Sequence, residues 1–228
     1  MIEQRKTYCQ DCEERCKNAF AAAQTSALRA VDEQKRTLIF ARGEKIFSQD
    51  DTTDSFYCVQ SGTVQIYRNS AEREHSFSIA GPGQWIGHRD VLLGRPRSHN
   101  ARTLNRAVVC KFPARLLAES LTRDPAVQMS LLKEMAAGWE QAERQSYNLG
   151  ARSVTERLAD FLLALSHEEE EETELPCTRE VIGSLTGTTT ETVIRTLSAF
   201  KARGWIDTSK GRVLLRKKNE LRKLVAES

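Results

Sequence analysis

Three cysteines fall within eight residues near the start of the chain, spaced Cys9-x2-Cys12-x3-Cys16. Thiols bind metals and act as nucleophiles as thiolates, so a group this dense marks metal binding or redox chemistry. Cys58, Cys110 and Cys177 lie far from it. The opening residues, MIEQRKTYCQDC, lack the apolar stretch of a secretory signal. No apolar run approaches the roughly 20 residues that span a bilayer, so no membrane partner is expected. A cytoplasmic location follows as the expectation. That compartment keeps thiols reduced, which argues against a disulfide framework and leaves metal binding, redox sensing or burial. Cys58 alternates with Phe56 and Gln60 in a strand-like run and reads as a small hydrophobe. Cys177 reads as incidental. His75, His88, His99 and His167 show no ligand spacing and read as surface or structural residues.

A second group able to do chemistry lies in TREVIGSLTGTTTETVIRTLSAF, residues 178–200. Two apolar-periodic segments flank a turn at Thr186-Gly187-Thr188, the pattern of a helix-turn-helix. Thr188 or Thr189 is placed to cap the second helix, whose apolar stripe is Val193, Leu197 and Phe200. Glu191 and Arg195 share another face. Glu accepts from cytosine N4 and Arg forks onto guanine O6 and N7, so the pair can read a G·C-containing step of double-stranded DNA. The same spacing also gives an ordinary surface ion pair. Thr178, Thr189, Thr190, Thr192 and Ile194 complete the expected DNA-facing set on the helices. Trp205–Thr208 and Val213–Leu215 read as a hairpin wing around a Lys210-Gly211 turn, followed by the basic run Arg216-Lys217-Lys218. Lys210 and Lys217 are the expected phosphate contacts. From Leu175 to Ser228 there are 11 Lys+Arg and 5 Asp+Glu, a net of +6. The whole chain is +3, so residues 1–174 carry −3 and the basic charge is concentrated at the C-terminal end.

These groups must be positioned by a chain of 228 residues with the composition of a globular protein, 39% hydrophobic and 29% charged. The pattern predicts an α+β fold in four parts: a cysteine-rich arm over 1–20, a β-roll over 21–124, a long helix over 125–150 and a winged helix-turn-helix over 151–228. Strand-like runs at 56–59, 63–67, 75–79 and 107–110, punctuated by Gly43, Gly62, Gly81-Pro82-Gly83 and Gly94, argue for an all-β sandwich or roll there. In the long helix Val127, Leu131, Met135, Ala142 and Leu149 form one stripe beside Leu132 and Trp139. Leu131, Met135, Ala142 and Leu149 are expected to pair with a symmetry mate as a homodimer; packing on the chain's own β-domain is the alternative. Residues 151–165 read as the first helix of the DNA module and Glu168–Glu172 as a solvated acidic loop.

In this order, ARGEKIFSQDD, SGTVQIY, GPGQWIG, TERLADFLLAL and the helix-turn-helix resemble segments of the cyclic-AMP receptor protein/FNR superfamily of bacterial transcription regulators. The resemblance covers nearly the whole chain. It implies a β-roll sensor, a dimer helix, a winged helix-turn-helix on a two-fold operator, and RNA polymerase as a further partner. Cyclic-nucleotide members carry a Glu after the Gly turn and an Arg-Ser pair downstream. Here the stretch is Gly87-His88-Arg89-Asp90, followed by Arg97-Ser98-His99, so His88 stands where the Glu would be. Imidazole does not replace a carboxylate accepting from hydroxyls, and cyclic-AMP sensing is disfavoured. The oxygen-sensing FNR branch holds a [4Fe–4S] cluster with three clustered cysteines and one remote cysteine. The resemblance therefore implies Cys9, Cys12, Cys16 and Cys110 as ligands, consistent with cysteine as the usual ligand of such clusters. The arm departs from the familiar FNR spacing, which has five residues where this chain has three. Zinc accepts the same four thiolates, and free or thiol-switch cysteines are a third reading. The implied function is a regulator whose dimerisation and DNA affinity respond to oxygen or nitric oxide at TTGA-like half-sites. An enzyme is argued against, because no His-x-His constellation, nucleophile elbow or phosphate loop is present.

Overall fold

The computed structural model describes residues 8–70, 74–166, 173–175, 177–209 and 212–226, and the chain divides into two units, Met1–Trp139 and Glu140–Ser228. In the first unit the arm makes three short 3₁₀ turns, Cys9–Asp11, Glu13–Lys17 and Ala19–Ala22. The Asn18 side chain caps the third, accepting from the Phe20 N–H at 3.0 Å. Helix α1 (Thr25–Gln34) precedes strands β1 (Arg36–Phe40), β2 (Lys45–Phe47), β3 (Ser55–Ser61), β4 (Val64–Asn69), β5 (Glu74–Ala80) and β6 (Trp85–Ile86). A short helix α2 (His88–Leu92) leads to β7 (Asn100–Thr103), β8 (Ala107–Pro113) and helix α3 (Ala114–Arg123). The strands form two antiparallel sheets of order β1-β8-β3-β6 and β2-β7-β4-β5. The four expected strand runs fall on β3, β4, β5 and β8.

Strand β3 shows how this arrangement makes a site. Tyr57 and Val59 point into one core with Phe40, Phe47, Val64 and Ile86. Phe56 and Cys58, one residue out of phase, face a second core of Phe20, Trp85, Phe112, Leu117, Val127 and Leu131. A strand covered on both faces has no polar side to display. Phe20 fixes the arm into the second core, with its ring edge-on to Trp85 at 4.7 Å and to Phe112 at 5.9 Å. Burying a side chain of this size contributes about 1.5–3 kcal/mol, enough to hold the arm's end.

Helix α4 (Pro125–Ala151) runs without a break through the division between the units, which falls inside it and not at either of the expected boundaries. Its apolar residues sort onto two faces. Val127 and Leu131 are buried in their own unit's core, at 1% and 4% exposure. This corrects the expectation for Leu131, whose side chain is not available to a partner. Leu132, Met135, Trp139 and Leu149 are exposed, and with Ala142 they recur at intervals of three, four, three and seven residues.

In the second unit α5 (Val154–Ala164) begins with a capping box: Ser153 accepts from the Glu156 N–H and Glu156 accepts from the Ser153 N–H. Strand β9 (Thr173–Leu175), helices α6 (Arg179–Thr186) and α7 (Thr190–Ala202), and strands β10 (Ile206–Ser209) and β11 (Arg212–Leu215) follow. The expected hairpin is present as β10 and β11, and β9 adds a third strand to it, in the order β10-β11-β9. The basic run is not a free tail, because Lys218 is buried and opens helix α8 (Lys218–Ala226), whose Leu221 is fully buried. Lys210 and Gly211 of the expected turn, His167 and the acidic loop at Glu168–Glu172 lie outside the described residues.

Candidate functional site

The helix-turn-helix is built around one glycine. Gly187 ends α6 in the left-handed conformation (φ +63°), and a Cβ there would meet Leu149 Cδ2 at 2.5 Å. Only glycine satisfies both conditions. Arg157 holds the turn from α5, its Nε donating to the Thr186 carbonyl at 2.8 Å. Thr178 caps α6 by accepting from the Val181 N–H at 3.4 Å, and Thr189 caps α7 by accepting from the Thr192 N–H at 3.3 Å. The two threonines therefore stand at helix N-termini, where backbone N–H groups and the helix dipole favour phosphate. Val193, Leu197 and Phe200 are buried, which leaves the opposite side of α7 to Glu191, Ile194 and Arg195, all exposed. Thr190 and Thr192 are half-buried beside them. Glu191 and Arg195 form no ion pair among the described contacts. The Glu191 carboxyl is held below its usual range because it accepts from its own backbone N–H and from the Thr189 hydroxyl. Lys217 is exposed just after the wing, its backbone N–H donating to the Trp205 carbonyl.

In the first unit, thiols from the arm and from the sheet line one cavity: Cys9, Cys12, Cys58 and Cys110. Cys110 on β8 is directly opposite Thr37 on β1 and Cys58 on β3. Cys58 was not expected here. Asp32 fixes Cys9, accepting from its backbone N–H at 2.7 Å, and Lys35 donates to the Cys9 sulfur at 3.1 Å. Lys35 and Asp32 are themselves an ion pair at 2.6 Å, with side chains only 7% and 8% exposed. The Thr37 hydroxyl is 3.9 Å from the Cys110 sulfur. The side chain of Cys16 lies outside the described residues, while its backbone belongs to the second 3₁₀ turn. The arm rests on the turn before β6, where a Cβ at Gly83 (φ +87°) would meet Lys17 Cβ at 2.6 Å and the Glu14 carbonyl at 2.8 Å. Asn18 closes this contact with a 3.0 Å hydrogen bond to the Gly83 carbonyl. On α4 the Glu134 carboxyl accepts from the Ala19 backbone N–H, and burial keeps it above its ordinary range even so.

Burial dominates the electrostatics of the cavity thiols. Burial pushes the Cys9 thiol up to about 12, although Lys35 beside it acts in the opposite direction. Burial also raises Cys110, and it raises Cys58 well above the ordinary thiol range. Lys35 is raised overall: burial pulls it down, but Asp32 and the neighbouring thiols outweigh that. Three cavity-lining polar atoms, Trp85 Nε1, Arg15 Nε and Gln60 Oε1, are buried without hydrogen-bond partners. Such atoms are costly to leave unpaired in a folded protein. No three described His, Cys, Asp or Glu side chains converge closely enough for a single metal ion. Around this cavity the thiols of Cys9, Cys12, Cys58 and Cys110 stand together with the cations Lys35 and Arg15 and an unpaired indole N–H. Cys177, by contrast, is buried in the second unit and pushed up to about 12 by burial alone.

The stretch around Gly87 is filled by the chain's own side chains. Arg97, 2% exposed, donates to the Gly87 carbonyl at 2.8 Å and to the Ser55 carbonyl, and its guanidinium lies over Phe47 at 4.5 Å. Ser98 donates to Asp90 at 2.8 Å. Burial lowers His88 to about 4, so its imidazole is neutral at physiological pH.

A β-roll joined to a long helix, and a winged helix-turn-helix with an exposed reading face, define a DNA-binding regulator with an N-terminal sensor. Comparison with known proteins agrees. Residues 37–124 match the cyclic nucleotide-binding domain and residues 156–224 the Crp-like helix-turn-helix domain. The nitrogen fixation regulation protein FixK of Bradyrhizobium diazoefficiens is 28% identical over 213 residues, covering 90% of this chain and 89% of that protein. The CRP-like cAMP-activated global transcriptional regulator of Mycobacterium tuberculosis is 28% identical over 194 residues, 82% of this chain and 87% of that one. The structure of FixK2 from Bradyrhizobium japonicum superposes with a TM-score of 0.72 at 25% identity, covering 83% of this chain and 96% of that one. The chain belongs to the cyclic-AMP receptor protein/FNR superfamily; it is a DNA-binding transcription regulator and not an enzyme. No described helix is long and apolar enough to cross a membrane.

Proposed function

We propose that the protein is a homodimeric regulator of the FNR branch that senses oxygen or nitric oxide through a [4Fe–4S] cluster held by Cys9, Cys12, Cys16 and Cys110. The observation that carries this reading is the convergence of arm and sheet thiols on one buried cavity beside Lys35 and Arg15. Cys58, also in that cavity, is set apart by its hydrogen bonds. Its thiol donates to the Gly83 carbonyl at 3.6 Å and accepts from Asn18, so it is satisfied as a neutral S–H. The engaged Arg97 and neutral His88 argue against cyclic AMP as the effector.

When bound, the cluster supplies iron–sulfur bonds that oxygen or nitric oxide breaks. The chain supplies the transmission. Cys9 and Cys12 hold the arm to the sheet, Asn18 and Gly83 seat it, and Glu134 joins it at Ala19 to α4. Only about 20 Å3 is open between the thiols, so the short 3₁₀ turns are the elements that yield as the site fills or empties. Leu132, Met135, Trp139, Ala142 and Leu149 are the seam through which α4 pairs with a second copy; the three-four spacing from Leu132 to Ala142 is that of a coiled coil, and Leu149 follows one heptad later. A change of arm state biases that pairing and with it the spacing of two α7 helices on an inverted repeat, a population shift requiring a few kcal/mol. RNA polymerase is the further partner of the DNA-bound dimer.

Anaerobically purified protein should be brown, with about four iron and four sulfide per chain. Serine at Cys9, Cys12, Cys16 or Cys110 should abolish the colour, while Cys58→Ser and Cys177→Ser should keep it. Colourless anaerobic protein containing one zinc per chain would overturn the reading.

A further inference from the structure

We infer that Lys35, fixed by Asp32, is the counter-charge and hydrogen-bond donor for the group bound at Cys9, and that it sets how readily that group is oxidised. The inference rests on the cluster reading above. Lys35 is the C-cap residue of α1, so it approaches the cavity from the folded domain and not from the arm. Its ammonium reaches Asp32 at 2.6 Å and the Cys9 sulfur at 3.1 Å. An ammonium has three N–H donors, and these two contacts leave one for a sulfide. Asp32 holds both halves of the arrangement, since the same carboxylate oxygen accepts from the Cys9 backbone N–H and from Lys35.

Stability alone is a weak reason to bury this pair. Burying two charges removes them from water, and a well-packed apolar pair commonly does as well for stability. Its position answers a different need. A cubane core bound by four thiolates is a net anion, and in a buried site that charge must be balanced or the core gives up an electron more easily. Arg15 also lines the cavity, but it belongs to the arm, where it donates to the Phe20 carbonyl at 3.3 Å. Lys35 is the cation that stays in place when the arm moves. Trp85, 5% exposed with an unpaired indole N–H on the same cavity, is a second fixed donor from the sheet.

The test compares wild type, Asp32→Asn, Lys35→Arg and the double variant Lys35→Met/Asp32→Asn, each loaded anaerobically with iron and sulfide. The double variant removes the cation without orphaning a buried carboxylate. Iron content is measured for each, and decay and midpoint are compared per iron bound. In air-saturated buffer the double variant should lose its visible absorbance about fivefold faster than wild type, with a lower oxidation midpoint in a dye-mediated titration. Lys35→Arg should stay near wild type, and Asp32→Asn, which leaves the Lys35 cation uncompensated, should decay no faster than wild type and shift the midpoint upward. A double variant with wild-type decay and midpoint would overturn the inference and leave the cluster reading intact. If circular dichroism shows the double variant unfolded, Lys35→Gln takes its place, and a wild-type midpoint there overturns the inference equally. Wild-type protein that takes up no iron overturns the cluster reading itself, and this inference with it.

Discussion

On α7, we propose that three neighbouring exposed side chains divide the reading of bases. Arg195 can fork onto a guanine, Glu191 can accept from a cytosine, and Ile194, 51% exposed between them, offers an apolar surface suited to a thymine methyl. The TGA core of the half-site is therefore expected to persist while the outer T positions drift from the FNR consensus. Thr190 stands where cyclic-AMP receptor proteins carry an Arg, so their additional guanine is not expected to be selected. Arg195→Ala should weaken cognate binding by about 1–3 kcal/mol and relax selection at the guanine. Lys217→Ala should weaken all duplexes alike and flatten the salt slope by about one. Titrations on cognate and scrambled duplexes at several salt concentrations separate the two, and selected inverted repeats without TGA would remove the assignment. These residues were legible in the sequence because a helix face follows from spacing alone. Cys58 was not, since its place opposite Cys110 depends on the pairing of β3 with β8. Lys35 and Asp32 were invisible for the same reason: as single charged residues they resemble any surface pair until α1 is seen against the arm.

Among the elements, α4 shows where periodicity is informative and where it is ambiguous. The apolar residues were all found, but a stripe containing both Leu131 and Leu132 does not say which of them faces home. The domain takes Val127 and Leu131, and the exposed seam begins at Leu132. Met135→Glu should place a charge in the paired seam at a cost of several kcal/mol and shift the dimer towards monomer. Sedimentation at low micromolar concentration checks it, and a variant still dimeric there would count against the seam. The four longest strands, β3, β4, β5 and β8, were found in advance, together with the hairpin β10 and β11, while β1 and β7 were not. β2 and β6, with three and two residues, are too short to show alternation, and β9 follows an acidic run that carries no strand signal. Helix α8 was hidden because it opens at the end of the basic run Arg216-Lys217-Lys218, whose charge masks the helix although Leu221 is fully buried.

For the molecule as a whole, basic charge is concentrated at the C-terminal end, with a net of +6 from Leu175 to Ser228 against −3 in residues 1–174. That local charge draws a polyanion to the helix-turn-helix and its wing, and the first unit is free to be specialised by its arm. Trp85 gives that specialisation an optical signature. Of the three tryptophans, Trp139 is 72% exposed and Trp205 is half-buried in the DNA unit, whereas Trp85 is enclosed between Phe20 and the thiols. An iron–sulfur chromophore drains the excited state of an adjacent indole, so emission from Trp85 should be dark in the loaded protein and brighten at short wavelength when iron leaves. Withdrawal of the arm would then wet the indole and move its emission to longer wavelength. Stopped-flow fluorescence on unlabelled protein mixed with air should show brightening before the red shift if metal loss releases the arm. A red shift that comes first would mean that the arm opens spontaneously and the oxidant enters through it.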